Sequence, residues 1–130
     1  RTLFDIIKTK DINELITVDA NSPVMEALMI MAKFKIGALI VMHKDKMAGI
    51  ISERDYAREM ILEGRSSRDT LVKEIMTKNP ISIDKDSLAV KALGLMNERK
   101  ITSLCVHNKK NKNKTIGILH IHTLLESSIN

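Results

Sequence analysis

The residues with the most suggestive chemistry are Ser52, Arg54 and Asp55, which stand where an apolar run gives way to a predicted helix. The first turn of a helix has free backbone N–H groups and a partial positive charge, which together favour an anion such as a phosphate. The Ser52 hydroxyl and the Arg54 guanidinium add donors, whereas the Asp55 carboxylate accepts hydrogen bonds from hydroxyl groups. From the residues alone, this spacing is compatible with a site for an anion such as a phosphate. The same residues also fit a simpler interpretation, in which Ser52 caps the helix and Asp55 favours its positive end.

The remaining chemistry-bearing residues do not assemble into a comparable group. His120 and His122 are two residues apart, but no Cys or acidic residue with ligand spacing accompanies them, so we expect no metal site. Cys105 lies in an apolar run, which predicts a small buried residue instead of a nucleophile. No nucleophile elbow, glycine-rich phosphate loop or paired carboxylates stand out. We therefore expect no catalysis and no required cofactor.

Composition and charge are those of an ordinary globular protein. The 130 residues are 44% hydrophobic and 28% charged, with a net charge of +5. Much of the positive excess lies in the lysine-rich segment 109–114, which predicts a solvated hairpin loop because it lacks the aromatic residues that nucleic-acid sites use for stacking. No stretch is long and apolar enough for a membrane span, and a single Cys suits a reducing compartment. We expect a cytoplasmic location, with no nucleic-acid and no membrane partner.

The chain repeats itself at an offset of 65 residues. Residues 18–41 then align with residues 83–106, and nine of the 24 pairs are identical. After the lysine-rich segment the offset becomes 68, and Gly49-Ile50 aligns with Gly117-Ile118. Unrelated segments would share one or two identities, so the sequence indicates a duplication.

Each repeat predicts the same order of elements: an extended piece, a helix with an apolar stripe, two strands and a second helix. Ser22 and Ser87 are the predicted N-caps of the two first helices. One repeat is too small to cover both faces of its sheet, so we expect an α+β fold in which two three-stranded sheets pack together with pseudo-twofold symmetry. The predicted limits are 8–64 for repeat 1, 65–70 for the linker and 71–128 for repeat 2. The predicted strands are 38–42, 47–51, 103–107 and 115–120, and the predicted closing helices are 53–62 and 121–128.

This pattern resembles the CBS-domain pair, also called the Bateman module. The segments that carry the resemblance are 49–55 (Gly-Ile-Ile-Ser-Glu-Arg-Asp), the strand entries 36–41 and 101–106, and 72–77 followed by Pro80. The second repeat is also similar to the C-terminal CBS pair of bacterial arabinose-5-phosphate isomerases. The resemblance implies a regulatory module that binds an adenosine-type nucleotide, with AMP, ADP or ATP favoured, in a cleft between the repeats. It also implies association into a homodimer through the CBS helices and an attached or separate enzyme as a partner.

Carried over residue by residue, the resemblance gives one intact site and one altered site. The intact site combines residues of repeat 1 with residues assigned to repeat 2: Ser52, Arg54, Asp55, Ile50 and Gly37 with Thr77, Ile81 and Thr102. In the second cleft His120 stands in place of Ser52 and Thr123 in place of Asp55, so we expect a weaker site there. The alternative is a dimerisation scaffold, or a regulatory tail of a sugar-phosphate isomerase, that binds no ligand.

Overall fold

The computed structural model describes residues 2, 3, 5, 16–109 and 111–129, and the side chains of 111–114 and 127–129 are outside the description. The chain divides into two compact units. The first unit is Ile16–Pro80, and the second unit is Ile81–Asn130 together with Arg1–Leu15. The start of repeat 1 as predicted, residues 8–15, lies outside the described residues.

The first unit is built on a four-stranded sheet whose strands lie side by side in sequence order. Its elements in chain order are β1 (Thr17–Asp19), α1 (Val24–Phe34), β2 (Ala38–His43), β3 (Lys46–Ser52), α2 (Glu53–Tyr56) continuing as a π-helical segment (Ala57–Leu62), α3 (Val72–Ile75) and β4 (Thr77–Lys78). Strand β1 runs parallel to β2, whereas the β2–β3 and β3–β4 pairs are antiparallel. The predicted sheet of three strands therefore gains a fourth, because the segment after α3 pairs with β3.

The second unit has a three-stranded sheet with the order β5-β6-β7. Its elements are β5 (Ser82–Asp84), α4 (Ala89–Arg99), β6 (Ser103–Asn108), β7 (Asn111–His120) and α5 (Ile121–Ile129). The β6–β7 hairpin is tighter than the sequence predicts, because Asn108 pairs with Asn111 and only two residues connect the strands. The predicted loop 109–114 is therefore largely strand.

The two repeats fold by the same local contacts, which confirms the duplication. Each first helix ends at a lysine with a left-handed backbone, Lys35 and Lys100, both at φ 55°. In each repeat the next residue donates its N–H to a helical Met carbonyl at 3.0 Å, Ile36 to Met31 and Ile101 to Met96. The offset of 65 residues therefore relates positions with equivalent backbone structure as well as similar residue types.

Apolar burial explains why these segments become strands and helices. Four consecutive residues of β2, from Ala38 to Val41, are all buried, as expected for a strand covered on both faces. In α1 the residues Val24, Ala27 and Met31 are buried, at the i, i+3 and i+7 spacing of one helical face. The core of the first unit also takes Val72 from α3, and the core of the second unit takes Leu3.

The predicted N-caps of the first helices are wrong by one residue. The N-cap positions are Pro23 and Leu88, and neither has a side-chain capping hydrogen bond. Ser22 and Ser87 instead close a turn before the helix, because each donates its backbone N–H to an aspartate carbonyl three residues earlier at 3.0 Å. Within the described ranges, no helix combines the length and the apolar character needed to cross a bilayer.

Candidate functional site

The candidate site is organised by the junction between β3 and α2. Strand β3 ends at Ser52, whose extended backbone (φ −126°, ψ 164°) makes it the N-cap of α2. The N–H of Glu53 donates to the carbonyl oxygen of Gly37 at 2.9 Å, which ties the start of the helix to the entry of β2. Ser52 and Gly37 are thereby held at the same end of the sheet.

Ser52 and Asp55 form a reciprocal capping box. Asp55 donates its backbone N–H to the Ser52 Oγ at 3.1 Å, and its carboxylate Oδ2 accepts the Ser52 N–H at 2.9 Å. The Ser52 hydroxyl also donates to the same Oδ2 at 3.0 Å. The simpler interpretation of these residues is therefore correct as far as the helix is concerned: Ser52 caps it, and the acid completes the cap.

Thr77 brings a third donor to the same carboxylate. Its Oγ1 donates to the Asp55 Oδ1 at 3.2 Å. Thr77 lies on β4, opposite Ile50 of β3, within the first unit. Although Thr77 falls in the predicted sequence range of repeat 2, its pairing with β3 holds it beside the helix that carries Asp55.

Gly49 makes the pairing of β3 with β4 sterically possible, and this role was not predicted from the sequence. A Cβ atom at Gly49 would lie 2.4 Å from the Thr77 carbonyl oxygen and 3.2 Å from the Met76 sulfur. Because the closest atom belongs to the backbone, it cannot rotate away. The available signal was the glycine inside an otherwise apolar strand, which often marks close approach of another backbone.

The Asp55 carboxylate is buried, with 8% of the residue exposed, but its acceptor capacity is not exhausted. A carboxylate offers about four lone-pair sites, two on each oxygen. Oδ2 accepts two hydrogen bonds from Ser52 and Oδ1 accepts one from Thr77. One acceptor position on Oδ1 therefore remains for a further donor, and a second becomes available if Thr77 turns away.

The other predicted site residues divide between the two units. Ile50 is 7% exposed and lies on β3, and Arg54 is exposed on the first turn of α2. Ile81 and Thr102 belong to the second unit, where the Ile81 carbonyl accepts the Cys105 N–H at 3.1 Å and the Thr102 carbonyl accepts an N–H from the start of α5 at 2.8 Å. Their participation in a site with Asp55 stays a prediction.

The equivalent junction of the second repeat has the same backbone and different side chains. His120 pairs with Ser103 at the end of β7, as Ser52 pairs with Ala38 at the end of β3. Burial holds the pKa of the half-buried His120 below its ordinary value, so its neutral form is favoured. Thr123 occupies the position of the acid. This junction therefore presents an uncharged ring and a hydroxyl where the first presents a carboxylate.

The described residues also show the surroundings of Cys105 and of the potential metal ligands. Cys105 is fully buried, and burial raises the pKa of its thiol to about 11, which confirms a packing residue instead of a nucleophile. Among the described residues, no group of three or more His, Cys, Asp or Glu side chains could hold a metal ion.

A duplicated β-α-β-β-α fold with a Ser-x-x-Asp helix start defines a class of small tandem modules. The sequence model of the CBS domain matches residues 4–62 and 72–130. The chain therefore belongs to the CBS-domain family and is a CBS pair, a regulatory module.

Known relatives agree with this assignment. A protein with CBS domains from Burkholderia ambifaria MC40-6 is similar in structure, with a TM-score of 0.93 and 36% identity, over 99% of this chain and 94% of that one. Arabinose 5-phosphate isomerase KdsD of Francisella tularensis is 30% identical over 93% of this chain, which spans 37% of the enzyme. The CBS pair of protein MJ0100, solved with 5′-methylthioadenosine and S-adenosyl-L-methionine, has a TM-score of 0.82 at 23% identity, over 100% of this chain and 98% of that one. The chain spans less than two thirds of the length of the first curated relatives that it matches.

Proposed function

We propose that this CBS pair is a sensor that binds an adenosine-type nucleotide, AMP, ADP or ATP, at the start of α2. The observation that carries the proposal is the buried Asp55 carboxylate, which is held in place by Ser52 and Thr77 and still has acceptor capacity. A fixed, desolvated acceptor of this kind suits the two neighbouring hydroxyls of a ribose. The adenosine-containing ligands of the MJ0100 CBS pair support the choice of ligand class.

The limited number of acceptor positions on Asp55 links ligand binding to a change at Thr77. A ribose presents two hydroxyl donors, whereas one position remains on Oδ1 while Thr77 is bonded. The second ribose hydroxyl therefore displaces the Thr77 hydroxyl. Thr77 lies on the two-residue strand β4, and the chain reaches Ile81 of the second unit only four residues later. Release of Thr77 thus loosens a short strand that leads directly into the other unit, and a ligand that favours the released state shifts the population toward it.

The rest of the proposed site follows the family resemblance. Arg54 on the first turn of α2 supplies a cation for the phosphate, while Ile50 and Gly37 contribute apolar surface and close backbone. The resemblance also assigns Ile81 and Thr102 of the second repeat to ligand contacts. The second site, with His120 and Thr123, binds the same ligand more weakly because it has no carboxylate for the ribose.

The sharpest test changes the ligand instead of the protein. Calorimetric titration compares ATP with its 2′-deoxy, 3′-deoxy and 2′,3′-dideoxy forms, which keep the base and the phosphates. After a single deletion Thr77 keeps its bond to Asp55 and partly compensates the loss, so we expect the single deletions to weaken binding less than the dideoxy form, which should lose about tenfold or more. Equal affinities for ATP and the dideoxy form would refute the role of Asp55, and no binding of any adenine nucleotide would refute the proposal.

A second candidate function is a dimerisation scaffold, or the tail of a sugar-phosphate isomerase, that needs no ligand. The observation in its favour is a set of large apolar side chains that are exposed on helical segments: Met29, Phe34, Ile61, Leu62, Val90 and Leu125. Sedimentation velocity for the association state, together with thermal melting with and without ATP, separates the two functions. A scaffold gives a homodimer whose stability ignores nucleotide, whereas a sensor at a hundredfold excess over its Kd gains about 2.7 kcal/mol of unfolding free energy.

A further inference from the structure

The second unit contains an open groove that none of the proposed nucleotide contacts line. It has a volume of about 660 Å³, which is in the range of small-molecule sites. The residues that matter for its chemistry are Ser82, Asp84, Ser87, Lys91, His107 and Lys109. They come from β5, the turn before α4, α4 itself, β6 and the tip of the β6–β7 hairpin, so several elements converge on one space.

The two acids of the groove are already committed to internal partners. Asp84 accepts the backbone N–H of Lys109 at 2.8 Å on Oδ1 and that of Asp86 at 3.1 Å on Oδ2. Desolvation opposes ionisation of Asp84, but these two hydrogen bonds together with the nearby charges of His107 and Lys85 hold its pKa below the ordinary value. The carboxylate of Asp86 is paired with the Lys85 ammonium at 3.1 Å. Neither acid therefore needs a cation from a ligand.

The basic groups of the groove are not committed in this way. Neither the Lys91 nor the Lys109 ammonium has a hydrogen bond or an ion pair to any described residue. The imidazole of His107 shares a hydrogen bond of 2.5 Å between its Nδ1 and the Ser82 hydroxyl, which fixes the ring and directs its Nε2 elsewhere. Because Lys85 neutralises Asp86 and Asp84 offsets one of the two lysine charges, one positive charge remains in excess beside hydroxyl and imidazole donors.

We propose that this groove binds the phosphate group of a small organic phosphate, held by Lys91 and Lys109 with Ser87 and His107 as further donors. Lysine ammonium groups and hydroxyl donors match a dianionic phosphate. Leu95 on the wall of the groove gives the carbon skeleton an apolar surface, and the volume exceeds what a bare ion needs. This site is independent of the nucleotide site, because it shares no residue with it.

The test is an NMR titration of the full chain with inorganic phosphate, against sodium chloride at equal ionic strength. We expect saturable shifts of the Ser87 and Lys109 amides with phosphate alone. In the double variant Lys91→Gln/Lys109→Gln the apparent Kd rises by about tenfold or more, because two charge-assisted contacts are lost. The charge-matched control is Lys33→Gln/Lys46→Gln, two exposed lysines of the first unit, and it leaves the Kd unchanged.

Three outcomes would overturn the proposal. These are shifts that do not saturate, shifts that chloride reproduces, and an equal loss of affinity in the control double variant. A Thr77→Val variant keeps its phosphate response even if it alters nucleotide binding, so failure of the groove and failure of the nucleotide site are seen separately.

Discussion

Replacing Asp55 with alanine removes an acceptor that three donors share, so this variant tests the site through stability before any ligand is added. The lost contacts are those from the Ser52 N–H (2.9 Å), the Ser52 hydroxyl (3.0 Å) and the Thr77 hydroxyl (3.2 Å). A hydrogen bond to a charged group contributes about 1.5–3 kcal/mol. Thr77 is exposed and Ser52 half-buried, so both hydroxyls regain water in the variant. We therefore expect a loss of about 2–4 kcal/mol in the free energy of unfolding, less than the sum of the parts.

Urea denaturation followed by circular dichroism measures this loss, and three further variants are compared with Asp55→Ala. Ser52→Ala removes the cap itself and should cost about 1 kcal/mol. The double variant should lose less than the sum of the single variants, because the two side chains form one network. Thr123→Ala, at the equivalent position of the second repeat, serves as the matched control and should cost less than Asp55→Ala. A loss of under about 0.5 kcal/mol for Asp55→Ala, the range of ordinary surface changes, would refute the structural part of the reasoning.

Three further predictions concern packing and titration. Gly49→Ala should destabilise the chain by at least about 2 kcal/mol, because its Cβ would meet the Thr77 carbonyl. The control Gly94→Ala, whose Cβ meets nothing within 4 Å on its helix, should stabilise the chain by about 0.5–1 kcal/mol. Thermal melts in which Gly94→Ala is the less stable variant would contradict the close approach at Gly49. Burial lowers the pKa of folded His120, so the unfolded state binds its proton more readily and stability should fall as pH drops below about 6.5. Urea midpoints measured across that pH range should fall less in His120→Gln than in the unmodified protein. An equal fall in both proteins would show that His120 does not cause the pH dependence. Cys105 should react with a thiol reagent only after unfolding, and rapid reaction of the folded protein would contradict its burial and its pKa of about 11.

The duplication made much of the fold predictable from sequence. Matching the repeats aligned Ser52 with His120, and the strand registers confirm that both residues end the last long strand of their repeat. The buried stripe of Val24, Ala27 and Met31 followed from helical spacing, which depends on local geometry alone. A feature that both repeats share was therefore supported by two segments of the sequence.

The features that were mispredicted depend on contacts distant in sequence or on the detail of turns. Strand β4 has only two residues, and Thr77 reaches Asp55, 22 residues earlier in the chain, because β4 pairs with β3. No periodic pattern reports such a short strand. Ser22 carries the residue type of an N-cap, but its N–H closes a turn to Asp19, which moves the start of the helix to the next residues. Local propensity therefore predicted the helix α1 correctly but placed its N-cap one residue too early.

The two repeats together separate what the fold needs from what the site needs. In both, the first residue of the closing helix donates its N–H to the strand entry of the same repeat, Glu53 to Gly37 at 2.9 Å and Ile121 to Thr102 at 2.8 Å. The second repeat reaches this geometry without a carboxylate at the acid position, so the repeat folds without a Ser–Asp capping box. Asp55 stabilises its own repeat, but the architecture does not require it. A buried acid that the fold can omit, held with acceptor capacity to spare, is an observation that supports the proposed ligand contact.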